Sequence, residues 1–368
     1  MAIVTPPPAL QSKLAAWGWS DERDDAFAAL AEVGLVPGRV VSSGALRVAI
    51  TETGPVEVVL QRRFKRSVTS RTELPAVGDW LALEPVSGQP PTAALREILP
   101  RTGTFARTRP SDGRPQVIAA NLDVAFLVSG LDQDLNLRRI ERYLVLARDG
   151  GVSPVVVLNK ADLATDLEAA TAVVKGIAPG TQVLAVSAVT GAGLDDIGAI
   201  VGAGVTACLV GSSGVGKSTI ANALLGEQRQ DVRAIREDDS KGRHTTTRRE
   251  LFALAGGGLL VDTPGLRTVG VLEDATALAA SFSEVEGLAT ACRFRDCQHE
   301  REPGCAVRAG LAEGALSDDR LASYRKLERE RRWVELRADE RSRREADRRL
   351  GRIYRGGRLT SRIKRGEG

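Results

Sequence analysis

Gly211-Ser212-Ser213-Gly214-Val215-Gly216-Lys217-Ser218-Thr219 constrains this chain more than any other stretch. It fits the phosphate-loop pattern G-x-x-x-x-G-K-[ST], with an apolar strand, Ala207–Val210, before it and a helical stretch, Ser218–Leu225, after it. Glycines let backbone N–H groups turn inward and cradle phosphate oxygens at a helix N-terminus. Lys217 can neutralise β- and γ-phosphates, and the Ser218 hydroxyl can ligate Mg²⁺. An ordinary glycine-rich turn would not need strand, loop and helix all in register. The motif calls for a parallel sheet covered by helices, and the surrounding chain supplies one. Apolar runs at Val124–Val128, Val155–Leu158, Thr181–Val186, Thr206–Val210 and Leu259–Val261 alternate with helical or loop stretches, among them Leu137–Arg148.

Other strand ends in this region carry chemistry. Asp262-Thr-Pro-Gly265 follows one strand: the carboxylate can hold Mg²⁺ through its water shell, and the Gly265 N–H can sense a γ-phosphate. Asn159-Lys160-Ala161-Asp162 follows another. The Asp162 carboxylate can accept hydrogen bonds from guanine N1–H and the 2-amino group, a donor pair that adenine lacks. Asn159 would brace that loop and the Lys160 stem would lie along the base. Ser187-Ala188 ends a third strand and would offer backbone N–H to guanine O6. Several motifs at the carboxyl ends of strands in one sheet predict a single nucleotide site.

The motif order is reversed: the guanine-reading residues precede the phosphate loop, whereas in an ordinary small GTPase the phosphate loop leads. All loops still converge on one sheet edge, so moving the chain ends is physically acceptable. The glycine-rich stretch Gly198–Gly204 marks where old ends would be joined. Lys241-Gly-Arg-His-Thr-Thr-Thr247 occupies the switch position, with Thr246 the preferred Mg²⁺ ligand and Thr247 the alternative. Leu266 stands where a Ras-like enzyme carries a water-orienting glutamine. His244 could orient or partly deprotonate that water, or be a switch residue without a part in the chemistry.

The other histidine lies in Cys292-x₄-Cys297-x-His299-x₅-Cys305, which gathers three of the four cysteines within 14 residues. Cys292, Cys297, His299 and Cys305 would fill a tetrahedral Zn²⁺ site with no open position, hence a structural one. A thiol cluster or an iron–sulfur site is the alternative. Cys208 stands apart in a strand, as core.

The 368 residues predict two or three domains, and 43% hydrophobic against 27% charged residues can build sizeable cores. From Gly38 to about Phe105 short β-branched runs alternate with turns: Arg39–Val41, Leu46–Thr51, Val56–Leu60, Val68 and Trp80–Leu83. Their number and spacing suit a five-stranded oligonucleotide-binding (OB) barrel. Arg62, Arg63, Lys65 and Arg66 form a nucleic-acid edge or an exposed hairpin tip. Before the barrel, Asp21–Val33 predicts an amphipathic helix with Phe27, Leu30 and Val33 on one face.

No apolar run approaches a membrane span, and no cationic, apolar leader opens the chain, so a cytoplasmic setting is expected. Arg320–Gly368 holds 18 Lys and Arg against 8 Asp and Glu, leaving a net charge of −6 on the other 319 residues. A basic tail on a mildly acidic body predicts contact with a polyanion, the alternative being a salt-bridged, solvated helix.

A barrel-like N-terminal region, N-K-A-D before G-S-S-G-V-G-K-S-T, H-T-T-T, D-T-P-G and C-x₄-C-x-H-x₅-C together resemble the small-ribosomal-subunit-dependent GTPase A (RsgA, or YjeQ) family over about residues 38–330. The resemblance implies a multidomain chain: an N-terminal extension (1–36), an OB-fold domain (37–107), a circularly permuted α/β P-loop GTPase domain (115–273) and a helical zinc-binding domain with a basic tail (274–368). It implies a GTPase of late small-subunit maturation, stimulated by that subunit, with hydrolysis coupled to factor release or a checkpoint. One zinc, Mg²⁺ with GTP, rRNA contact and a monomeric cytoplasmic protein come with it, and the family's switch-loop histidine matches His244. Segment 1–36 and the long tail depart from the pattern. An ATP-dependent transport or repair module and a zinc-dependent RNA binder with a vestigial nucleotide site are the competing classes. Asn159–Asp162 argues against the first, and intact Lys217, Ser218 and Asp262 against the second.

Overall fold

The computed structural model describes residues 11–336 except 45, 69, 109–114, 133, 227–248 and 263–274. The chain divides at Gly270 into two compact units.

In the first unit, two helices, α1 (Gln11–Ala15) and α2 (Asp21–Glu32), precede β1 (Val36–Ser43), β2 (Arg47–Thr51), β3 (Gly54–Val59), α3 (Arg62–Ser67), β4 (Trp80–Val86) and β5 (Thr92–Ile98). β1 pairs with β2, β2 with β3, β3 with β5 in parallel, β5 with β4, and β4 returns to β1. This closed order, 1-2-3-5-4-1, is a five-stranded OB-type barrel, and closure removes the free edges. Extra residues at Val41 in β1 and Arg96 in β5 bend those two strands into the closed shape.

The N-terminal helices pack on the barrel. Leu14, Phe27, Trp80, Ala82 and Leu99 form one buried cluster, flanked by Trp17, Trp19 and Leu30. Trp19 meets Phe27 and Trp80 edge-on, at 5.8 and 4.7 Å between ring centroids. Three of the chain's four tryptophans are thus spent on this one contact. Val33, expected on the buried face of the helix, is 72% exposed because α2 ends at Glu32. The Arg62–Arg66 run is a short helix and not a hairpin tip, and Val68 is the residue after it rather than a strand. The fifth strand is instead Thr92–Ile98.

A hairpin, β6 (Thr104–Thr108) and β7 (Pro115–Ala120), leads into the α/β part. There β8 (Val124–Gly130), α4 (Leu137–Asp149), β9 (Ser153–Asn159), α5 (Leu167–Ile177), β10 (Gln182–Ala185), α6 (Leu194–Ile200), β11 (Thr206–Val210), α7 (Lys217–Leu225), β12 (Arg249–Ala253) and β13 (Leu259–Asp262) follow. The sheet order is β10-β9-β8-β11-β13-β12, parallel except for β12. α4 forms because Asn136 accepts the Arg139 N–H at 3.0 Å as N-cap and because Ile140, Tyr143, Leu144 and Ala147 recur at helical spacing on its buried face. Phe126, Val128, Val157, Leu209, Ile220 and Leu260 are buried together between sheet and helices.

β12 also pairs with β1, Ser42 opposite Glu250 and Ser43 opposite Arg249, so barrel and parallel sheet are one continuous eleven-stranded sheet. Arg39, 2% exposed, stitches the same junction. Its guanidinium donates to Trp17 O, Gly78 O, Asn121 O and Thr206 Oγ1 and lies 5.1 Å from the Trp80 ring.

The second unit contains α8 (Ala275–Ser281), α9 (Ser283–Ala289), α10 (Ala306–Ala312) and a helical run over 318–336, α11. Leu278, Phe282, Val285, Val307, Leu321 and Leu327 are buried in it. Arg320 lies 4.0 Å from the Phe282 ring and donates to Glu284 and to Ser281 O. The rest of the basic tail lies outside the described residues. No helix among those described is long and apolar enough to cross a membrane.

Candidate functional site

The carboxyl ends of β8, β9, β10, β11 and β13 share one edge of the sheet, and the motif residues follow those ends. After β11, Gly211 to Gly216 turn the chain into α7. Val215 is fully buried in the core and anchors the loop. Gly216 has φ +96°, and a Cβ there would lie 2.1 Å from Asn159 Nδ2, so both conformation and space require glycine. Lys217 opens α7, its Nζ donating to Gly211 O at 2.9 Å and Ser212 O at 2.5 Å across the loop. Ser213, Gly214, Ser218 and Thr219 are exposed, on the loop and the first turn of the helix.

Asn159 is 2% exposed at the end of β9. Its Nδ2 donates to Val215 O at 2.7 Å, and its Oδ1 accepts the Ala188 N–H at 3.0 Å. One side chain therefore joins three predicted motifs. Lys160 takes a left-handed conformation, φ 64°, and starts the short turn Ala161–Leu163. The Ala161 N–H donates to Val186 O at 3.0 Å, fixing that turn to the strand end beside it. Asp162 sits in the turn, exposed, with no side-chain partner among the described residues, so both carboxylate oxygens are open to donors.

The N–H groups expected to meet guanine O6 are both bonded within the protein. Ser187 N donates to Ala192 O at 2.9 Å and Ala188 N to Asn159. An incoming carbonyl would have to share or displace them. The Ser187 hydroxyl folds its own turn, accepting from Thr190 N at 3.2 Å. Asp262 ends β13 at this edge, opposite Glu250 of β12. His244, Thr246, Thr247 and Gly265 lie outside the described residues.

Two residues without a motif also touch the site. Lys160 Nζ donates to Asp132 at 2.5 Å, and Ser212 Oγ donates to Asp134 at 2.5 Å. The only sequence signal for them is their place directly after an apolar strand.

In the second unit Cys292, Cys297, His299 and Cys305 bring four ligand atoms within 4.8 Å of one another. Cys292 Sγ and Cys305 Sγ lie 3.6 and 3.5 Å from His299 Nδ1 and 3.9 Å apart. Tetrahedral zinc, with Zn–S of about 2.3 Å, separates its sulfurs by about 3.8 Å, so the donor set fits that ion. All three thiols are free of disulfides. Burial, then the Arg325 charge, lowers the His299 pKa and favours the neutral imidazole a metal needs. Between the ligands, Glu302 accepts the N–H groups of Gln298, Glu300 and Arg301, and those bonds hold its carboxyl down at about 2. Cys208 is fully buried in β11, and burial pushes its thiol pKa up, as befits core.

A phosphate loop at the centre of a parallel sheet, reached only after the guanine-reading turns, defines a circularly permuted P-loop GTPase. Comparison with known proteins agrees. A family model described as RsgA GTPase matches residues 98–272. A protein named small ribosomal subunit biogenesis GTPase RsgA from Streptomyces coelicolor is 47% identical, covering 91% of each chain. One of the same name from Opitutus terrae is 44% identical, covering 95% of this chain and 98% of that relative. The chain belongs to the RsgA GTPase family and is a GTP-hydrolysing enzyme. Among solved structures, YjeQ from Thermotoga maritima matches with a TM-score of 0.58 at 25% identity, covering 81% of this chain and 98% of that one. YloQ, titled a circularly permuted GTPase, matches in fold with a TM-score of 0.54 at 22% identity, covering 81% and 95%.

Proposed function

We propose that this chain hydrolyses GTP in maturation of the small ribosomal subunit, the role its relatives' names carry. The observation behind the nucleotide site is Asn159, which ties the base turn to the phosphate loop. Asp162 reads guanine N1–H and the 2-amino group, with the Lys160 stem along the base and Ala161 in the turn between them. The N–H groups from Gly211 to Thr219 cradle the phosphates. Lys217 leaves the Gly211 and Ser212 carbonyls for the β- and γ-phosphates. Ser218 and Thr246 would ligate Mg²⁺, Asp262 would hold its water shell, and Gly265 would sense the γ-phosphate. Bound Mg²⁺ supplies charge neutralisation between the phosphates. His244 orients the attacking water, since Leu266 cannot.

Docking on the small subunit stimulates turnover, and hydrolysis releases the factor or passes a checkpoint. Arg62, Arg63, Lys65 and Arg66 on α3 are exposed, with no acidic partner among the described residues, which suits rRNA phosphates. Arg320, Arg331 and Arg332 are already paired with Glu284, Glu328 and Glu335, so the basic tail adds to that contact through its unbalanced part, 356–364. The Cys₃His group holds one structural zinc. The protein works as a cytoplasmic monomer, with domain limits at 1–36, 37–107, 115–273 and 274–368. Nucleotide titration tests the site: wild type should prefer GDP to ADP strongly, and Asp162→Asn should lose GTP while gaining xanthosine triphosphate. Equal affinity of wild type for GDP and ADP would overturn the assignment.

A further inference from the structure

Two carboxylates in the turn after β8 reach the two halves of the nucleotide site. Asp132 accepts from Lys160 Nζ, and Asp134 accepts from Ser212 Oγ, each at 2.5 Å. Asp134 also takes both contacts of the Arg139 guanidinium, at 2.9 and 3.1 Å. The two carboxylates are linked, because Asp134 N donates to Asp132 Oδ1 at 3.3 Å. The backbone beneath them is fixed by Leu131 N, which donates to Asn159 O at 2.8 Å, and by the Asn136 cap on α4. A Cβ on Gly130 would lie 2.5 Å from Asp132 Oδ1 and 3.6 Å from Lys160 Cδ. Glycine at the end of β8 is therefore what lets carboxylate and lysine meet over the strand.

Resting on the GTP-site reading above, we infer that Asp132 and Asp134 are positioning residues for the nucleotide. Asp132 sets the Lys160 side chain at the base end, and Asp134 sets the phosphate loop through Ser212. A free lysine side chain must be ordered when ligand arrives, and one already held by a carboxylate has lost that freedom beforehand. At the other end a bare carboxylate next to the phosphate loop would repel phosphate. Arg139 pairs with Asp134, so the loop gains a rigid acceptor without a net negative charge. The Lys160 hydrogen bond also lowers the Asp132 pKa below the usual carboxylate range.

The experiment measures dissociation of a fluorescent GDP, and competition by guanosine, for wild type, Asp132→Asn, Asp132→Glu and Asp134→Asn. Glu84→Gln, in an exposed ion pair with Arg96 on the barrel, serves as the control. Melting temperature is recorded for each. Asp132→Asn should speed GDP release roughly 2- to 5-fold, the range of a partly exposed charge pair, and weaken guanosine by the same factor. Asp132→Glu should recover most of that loss. Asp134→Asn should speed GDP release in the same range but leave guanosine unchanged, because its contact lies on the phosphate side. Wild-type release rates in both variants would overturn the inference. So would equal loss of GDP and guanosine in Asp134→Asn with a lowered melting temperature, which would make the carboxylate mere scaffold. Failure of wild type to prefer GDP over ADP would instead bring down the site assignment itself.

Discussion

Replacing Asn159 with alanine removes the one side chain that, among the described residues, spans base turn, phosphate loop and the Ser187–Ala188 turn. Two hydrogen bonds go, to Val215 O at 2.7 Å and from Ala188 N at 3.0 Å. Each contributes about 1 kcal/mol net, and a buried partner left without a bond costs about 1–3 kcal/mol more. Val215 is fully buried whereas Ala188 is only partly so, and water can replace Asn159 at Ala188 more readily. The loss is therefore about 3 kcal/mol, two bonds and one orphaned carbonyl. Falling wholly on ligand binding, about 3 kcal/mol raises the GDP Kd roughly 150-fold. Falling partly on folding, it lowers the melting temperature by a few degrees and weakens binding less. Isothermal titration of GDP, with thermal unfolding of the same preparation, separates the two. GDP affinity within about threefold of wild type, at an unchanged melting temperature, would show that the bridge is dispensable and refute the reasoning.

Arg39→Met should destabilise the first unit by about 2–4 kcal/mol, since Trp17 O and Asn121 O lose a buried donor while relief of the guanidinium's desolvation offsets part of the cost. Urea unfolding followed by tryptophan fluorescence reads this, because Trp17, Trp19 and Trp80 lie in the affected cluster. Cys297→Ser should cost the second unit the proposed zinc and cooperative unfolding while leaving GDP affinity within about twofold. Metal analysis and GDP titration of one sample check both halves, and full zinc content in the variant would remove Cys297 from the ligand set.

Much of the α/β half was legible because each buried strand is an apolar run that stops at a residue with distinct chemistry: Asn159, Gly211, Asp262. Such runs predict a parallel sheet, and parallel sheets put strand ends on one edge. The barrel was harder. Thr92–Ile98 carries Arg96 and Glu97 within its seven residues and lacks clean alternation, so it does not read as a strand, while β-branched Val68 does. Arg62–Ser67 has no apolar face, and its helix is set by the crossover from β3 to β4. Trp17 and Trp19 show no period either. Their partner Trp80 lies some sixty residues on, a contact only the tertiary fold creates. The same holds for Asp132 and Asp134, whose partners lie 28 and 78 residues away. The Cys₃His group was legible by residue type and spacing, but the 3.5–3.9 Å separations that suit a tetrahedron belong to the fold.

GTP turnover measured with and without purified small ribosomal subunits tests the central claim most directly. Slow intrinsic hydrolysis should rise about tenfold or more on adding small subunits, a barrier reduction of at least about 1.4 kcal/mol, and large subunits should have no such effect. An unchanged rate, in folded protein that binds GDP, would contradict a role as a switch on the small subunit.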